Sequence, residues 1–137
     1  MRTWPELSPE GLLVAAQTLA GEARGESGYI RHCVAHVMLN RWVSGRWGDA
    51  IEGVCMAPWQ FSCWNADDPN RGKILAMTLG GSYTLRQCMA VILEAMGETD
   101  LTLHSFHYHN ETILPEWAKG HQPALHAPPL KFYNDVP

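Results

Sequence analysis

The strongest constraint in the chain is an apolar stripe that starts behind a helix-start signal and stops at a glycine. Ser8-Pro9-Glu10 offers an N-cap hydroxyl, a proline at the first helical position and an acid near the positive end of the helix dipole. From there Leu12, Ala15, Ala16, Leu19, Ala20 and Ala23 recur at three- and four-residue spacing, and Gly25 ends the run. A second helix is expected from Ser27-Gly28-Tyr29, burying Ile30, Cys33, Val34, Val37 and Met38 and closing near Val43-Ser44-Gly45. A third is expected behind Tyr83-Thr84 as cap, with Leu85, Cys88, Met89, Ile92, Leu93 and Met96 on one face and Gly97 at its end. Helices that are apolar on one side must bury that side against each other, so the spacing predicts a mostly helical domain.

The segments between and after these helices are broken by glycine and proline. A short helix is expected at Ile51–Cys55, then an aromatic loop through Trp59 and Trp64, and a weaker helical turn at Lys73–Leu79. After Asp100 the stretch Leu103–His109 has strand-like composition, and Leu130–Tyr133 reads as a short apolar strand. Pro115, Pro123, Pro128 and Pro129 should keep the rest of the tail irregular. The expected class is therefore α+β, mostly helical, with a small β element near the C-terminus, over residues 1–137 as a single domain.

Charge and composition narrow the partners. Ten basic against fourteen acidic residues give a formal charge of −4, which argues against a nucleic-acid binder. No apolar run approaches the roughly 18–20 residues that span a bilayer, so no membrane insertion is expected. Pro5, Glu6, Pro9 and Glu10 interrupt any apolar leader at the N-terminus, and synthesis in the cytoplasm without a signal peptide is the expectation. Cys33, Cys55, Cys63 and Cys88 are too far apart for a CxxC site and read as buried thiols, with one disulfide after release from the cell as the alternative.

Glu22 is the residue most open to a chemical role. It follows Leu19 by three positions, beside the apolar stripe, with Gly21 and Ala23 on either side. A carboxylate in such a place is costly to ionise, and a carboxyl kept in its acid form is what a general acid near neutral pH requires. The competing reading puts Glu22 at the stripe's edge, paired with Arg24, Arg41 or a backbone N–H. Glu26 lies one helical turn further and is a candidate second carboxylate only if the helix continues through Gly25. Asp49, Asp67, Asp68 and Glu111 are further carboxylates that the sequence does not rank.

Five blocks in order then resemble one family. Gly21-Glu22-Ala23-Arg24-Gly25-Glu26, the helix ending Leu39-Asn40-Arg41, and Gln60-Phe61-Ser62-Cys63-Trp64 are followed by Phe106-His107-Tyr108-His109-Asn110 and by Pro115-Glu116-Trp117-Ala118 with a closing Phe132-Tyr133. Together they resemble the SleB/CwlJ cell-wall hydrolases across nearly the whole chain. The resemblance implies a lysozyme-like catalytic domain that cleaves the glycan strands of peptidoglycan, acts on the wall after release and needs neither metal nor other cofactor. It implies Glu22 as the catalytic acid, in most such enzymes serving a lytic transglycosylase that leaves a 1,6-anhydro end. A hydrolytic muramidase would need a second carboxylate at a set separation.

Sugar binding favours flat aromatic faces with amides nearby, and the segment from Trp59 to Asn65 supplies both. Gln60, Phe61, Ser62 and Trp64 are thus expected along one groove wall. By the resemblance, Tyr108 and Asn110 contact substrate from the other side. His104, His107 and His109 could join His121 or His126 around zinc, the basis of a metal-dependent amidase or peptidase alternative. A groove that binds sugar without cutting it is the remaining rival, and a phage or prophage endolysin working as a monomer is the expected context.

Overall fold

In the computed structural model, which describes residues 2–58 and 60–137, Ser8 caps the first helix by accepting from the Gly11 N–H at 2.9 Å. Helix α1 (Pro9–Ala23) follows, then α2 (Gly28–Ser44), α3 (Ile51–Met56), α4 (Pro69–Leu75) and α5 (Tyr83–Met96). Single 3-10 turns occur at Ser62–Trp64 and Glu116–Ala118. Strands β1 (His107–Asn110), β2 (Leu125–Ala127) and β3 (Leu130–Tyr133) form an antiparallel sheet in the order β1-β3-β2, with Tyr108 opposite Phe132 and Phe132 opposite Leu125. The expected mostly helical α+β class with a small C-terminal sheet is present.

Helix α1 touches all four other helices, which explains its composition. Every residue from Ala15 to Ala20 is buried, including Gln17 and Thr18, so alanines let neighbours approach on several sides at once. Helix α2 is buried from Cys33 through Trp42, more fully than a one-sided stripe implies. Three of its buried polar side chains find partners. His36 meets Glu98 at 2.8 Å, Asn40 donates to Asp100 at 2.8 Å and to the Ser105 carbonyl at 3.0 Å, and Arg41 donates to the Phe106 carbonyl at 2.7 Å. Burying each Leu- or Ile-sized side chain such as Leu19 or Ile92 contributes about 2 kcal/mol. The four cysteines are buried free thiols, and no described helix is long and apolar enough to cross a membrane.

Four local expectations are corrected. Ser82, rather than Tyr83 or Thr84, caps α5, its hydroxyl accepting from the Leu85 N–H at 3.0 Å. Helix α4 begins at Pro69, upstream of the expected Lys73, because the Asp68 carboxylate accepts from the Asn70 N–H at 2.8 Å and starts it there. Leu103 and His104 are not in a strand: both have left-handed backbones, with φ of 56° and 63°. Asp100 holds that turn by accepting from the N–H groups of Thr102 at 2.8 Å and His104 at 3.1 Å. Finally, β2 fits between Pro123 and Pro128, in a stretch expected to be irregular.

Candidate active site

Glu22 sits in the last turn of α1, and the residue before it decides what can reach its carboxylate. A Cβ at Gly21 would lie 2.6 Å from the Cys63 Cβ and 2.8 Å from its sulfur, so only glycine lets the Ser62–Trp64 turn pack this closely. That packing brings the Cys63 N–H to 3.3 Å from Glu22 Oε2. Trp64 fastens the same turn one helical turn earlier, donating from Nε1 to Thr18 Oγ1 at 2.8 Å. From the sheet, Tyr108 donates its hydroxyl to Glu22 Oε1 at 2.7 Å. Both carboxylate oxygens are therefore oriented, one by a helix-side amide and one by a strand side chain.

The pairing alternatives for Glu22 resolve in favour of a backbone N–H. Arg24 instead donates to the Ala20 carbonyl at 2.9 Å and to Asn70 at 2.7 Å. Arg41 donates from Nε to the main-chain carbonyl of Phe106, at 2.7 Å, and from Nη1 to that of Gln60, at 3.4 Å. Burial, reinforced by the Glu22 charge, pushes the Tyr108 hydroxyl well above its ordinary range, so it remains a donor at any working pH. The same two causes raise the Cys63 thiol and keep it protonated.

Beside this pair lies a cleft of about 430 Å³ lined by Arg41, Gln60, His107, Tyr108 and Trp117, with the C-terminal Val136 and Pro137. Arg41 forms its floor between two aromatic faces, 4.8 Å above the Phe61 ring and 5.2 Å from the Trp47 ring. Burial lowers its pKa from the ordinary arginine range, opposed by the nearby Tyr108 and Glu22. His107 is pushed down to about 4, first by burial and then by Arg41 and Arg46, so its ring is neutral near pH 7. Trp117 closes one side, 5.3 Å from the His107 ring and 5.5 Å from His109.

The residues expected along the groove separate into distinct roles. Gln60 and Tyr108 line the cleft. Phe61 is 1% exposed and offers no face to a sugar; it carries the Arg41 guanidinium instead. Ser62 is exposed, Trp64 is half-buried against the core, and Trp59 lies outside the described residues. Asn110 is exposed at the end of β1, where its side-chain Oδ1 accepts from the N–H and hydroxyl of Thr112 and caps a turn. Helix α1 stops at Ala23, so Glu26 is not carried onto the Glu22 face. Asp49 and Asp67 are exposed, Asp68 caps α4, and Glu111 pairs with His126.

The histidines do not converge. His109 meets the Tyr133 hydroxyl at 2.8 Å, His121 pairs with Asp135, and His104 lies near Asp100, while no three metal-ligating side chains come together among the described residues. A larger cavity of about 570 Å³ lies between Arg2, the end of α5 and the Leu103-His104 turn. Its carboxylates are occupied within the fold, Glu98 by His32 and His36 and Asp100 by Asn40 and Thr102. Arg41 and Trp117 line the cleft, although the sequence reading did not name them as substrate contacts. Their signals were present, an arginine closing the Leu-Asn-Arg run and a tryptophan in the Pro-x-Trp-Ala piece.

The comparisons with known proteins agree with this architecture. The catalytic domain of the germination-specific lytic transglycosylase SleB from Bacillus anthracis superposes with a TM-score of 0.74 at 23% identity, covering 96% of this chain and 99% of that one. The catalytic domain of the Bacillus cereus SleB protein gives a TM-score of 0.76 at 24% identity, covering 97% and 98%. At these identities the likeness establishes a shared fold. No curated protein matched in sequence. A family model described as Cell Wall Hydrolase matches residues 25–127, beginning three positions after Glu22 and taking in the Arg41, Gln60 and Tyr108 cleft. With most of its length under that model, the chain belongs to the cell wall hydrolase family.

Proposed function

We propose that the protein cleaves the β-1,4 bond between N-acetylmuramic acid and N-acetylglucosamine in peptidoglycan, as a lytic transglycosylase with Glu22 as its single acid/base. The observation that carries this reading is the Glu22 carboxyl itself, held at one oxygen by the Cys63 N–H and at the other by the hydroxyl of Tyr108, a residue of the cleft wall. In the first step Glu22 gives its proton to the leaving glycosidic oxygen. In the second the resulting carboxylate takes the proton of the muramic 6-hydroxyl as that oxygen closes on C1. The acid is regenerated and the product is a 1,6-anhydro end. Helix α1 ends at Ala23 and does not carry Glu26 onto the face of Glu22, which supports a one-carboxylate route over two-carboxylate hydrolysis. Gln60 and the Trp117 face would bind the sugar rings, with release of the strand's fragments as the outcome of turnover.

Replacing Glu22 by Gln keeps the shape of the side chain and removes the transferable proton. Clearing of purified peptidoglycan should fall by at least about a hundredfold with the circular-dichroism spectrum unchanged. Clearing at the parental rate by E22Q would sink the assignment. Mass spectrometry of the products distinguishes the routes, since anhydro-muramic ends mark transglycosylation and reducing ends mark hydrolysis.

A further inference from the structure

Arg41 is only 5% exposed, yet it faces the cleft and, among the described residues, has no carboxylate within ion-pair distance. Its two hydrogen bonds go to neutral carbonyls of Phe106 and Gln60. Glu22 acts on it only at longer range, so the desolvated guanidinium has no direct ion-pair partner, and such a planar donor is well shaped for a carboxylate. On the same lining, the His107 Nδ1 is buried with no hydrogen-bond partner. Tyr108 lines this wall too and also holds Glu22, so the unpaired groups lie one side chain from the acid.

We propose that Arg41 and His107 form a carboxylate seat that receives the lactyl group of a muramic acid whose stem peptide has been removed. This rests on the glycan-cleaving reading above. The lactyl ether hangs from C3 of the same sugar whose C1 is attacked, so its carboxylate comes close to Glu22. Carboxylates of a stem peptide lie several bonds further out. In a peptide-bearing strand the lactyl carboxyl is an amide and carries no charge. The preferred substrate is therefore denuded glycan, supplied by a reaction that hydrolyses the amide between the lactyl carboxyl and the first amino acid, giving a free carboxylate and an amine. Arg41 would pair with that carboxylate through the edge of its fork that the two carbonyls leave open, and His107 would add one N–H.

Three forms of one glycan preparation test the seat: strands bearing peptides, strands stripped by an amidase, and stripped strands whose carboxyls are converted to methylamides. New sugar ends released per unit time are the readout. Stripped strands should be cut with a kcat/KM about tenfold or more above the methylamides, the size of a lost charge-assisted pair. Arg41→Gln should erase that ratio and Arg41→Lys should keep part of it, with circular dichroism checking that each variant folds. The parental comparison decides even if Arg41→Gln does not fold. Equal cutting of stripped and methylamide strands, faster cutting of peptide-bearing strands, or an undiminished preference in Arg41→Gln would each overturn the seat while leaving glycan cleavage intact. Failure to cut any of the three would instead overturn the glycan-cleaving reading.

Discussion

At Tyr108 one hydroxyl connects the sheet to the catalytic candidate. Tyr108→Phe removes the 2.7 Å bond to Glu22 and leaves that oxygen without its strand-side donor. Activity on peptidoglycan should fall about tenfold while the melting temperature changes little, because the ring still packs on Phe132 at 5.7 Å. His107 gives a residue-scale prediction in pH. Its folded pKa of about 4 lies below the ordinary 6.5, so between those values the unfolded chain binds more protons. Its contribution is harmless above pH 6.5 and becomes destabilising as the pH falls toward 4, by about 2 kcal/mol after allowing for partial exposure. Urea denaturation of parent and His107→Gln across that range should show the parent losing more stability; parallel curves would contradict the assignment.

Elements place these residues. The Ser62–Trp64 turn reaches α1 only because position 21 has no Cβ. Gly21→Ala forces a contact of 2.6 Å with the Cys63 Cβ, which belongs to backbone-linked structure and cannot swing away. The turn must retreat, at a cost of about 1–3 kcal/mol, and the Cys63 N–H leaves Glu22. Both thermal stability and peptidoglycan clearing should drop in this variant. Clearing at the parental rate would show that the Cys63 N–H is dispensable. Legibility at this scale followed the local signals. The Ser8-Pro9-Glu10 start and the Ser27 cap are complete within a few residues, and both helices begin where they predict. The Leu103–His109 composition looked like a strand because a carboxylate at Asp100, rather than the residues themselves, sets the left-handed turn at Leu103 and His104.

For the molecule as a whole, the interior of α2 is tied to the end of α5 through one acid. His32 and His36 both meet Glu98 Oε1, at 2.7 and 2.8 Å. Burial opposes ionisation of Glu98, but the two histidines outweigh it and hold its carboxyl below the usual range. A carboxyl lowered on folding contributes stability above its unfolded pKa and loses it as the pH falls through the folded one. Glu98→Gln should therefore cost about 1–2 kcal/mol near neutral pH, a drop of several degrees in melting temperature. The deficit should shrink in acid, and a deficit that does not vary with pH would exclude the charge as its source.

Periodicity and caps in the sequence determined the helical content, the end of α1 beside Glu22 and the short terminal strand, because those depend on residues within a turn or two of each other. The blocks around Glu22, Gln60 and Tyr108 were likewise readable in order along the chain. What only the tertiary structure decided was their assignment to roles. Phe61 went beneath Arg41 and Asn110 to a turn, while Arg41 and Trp117 came to the cleft. Residues 63 and 108 meet Glu22, and Arg41 shares the cleft wall with Tyr108, through packing of α1, α2, a 3-10 turn and β1 that no local spacing encodes.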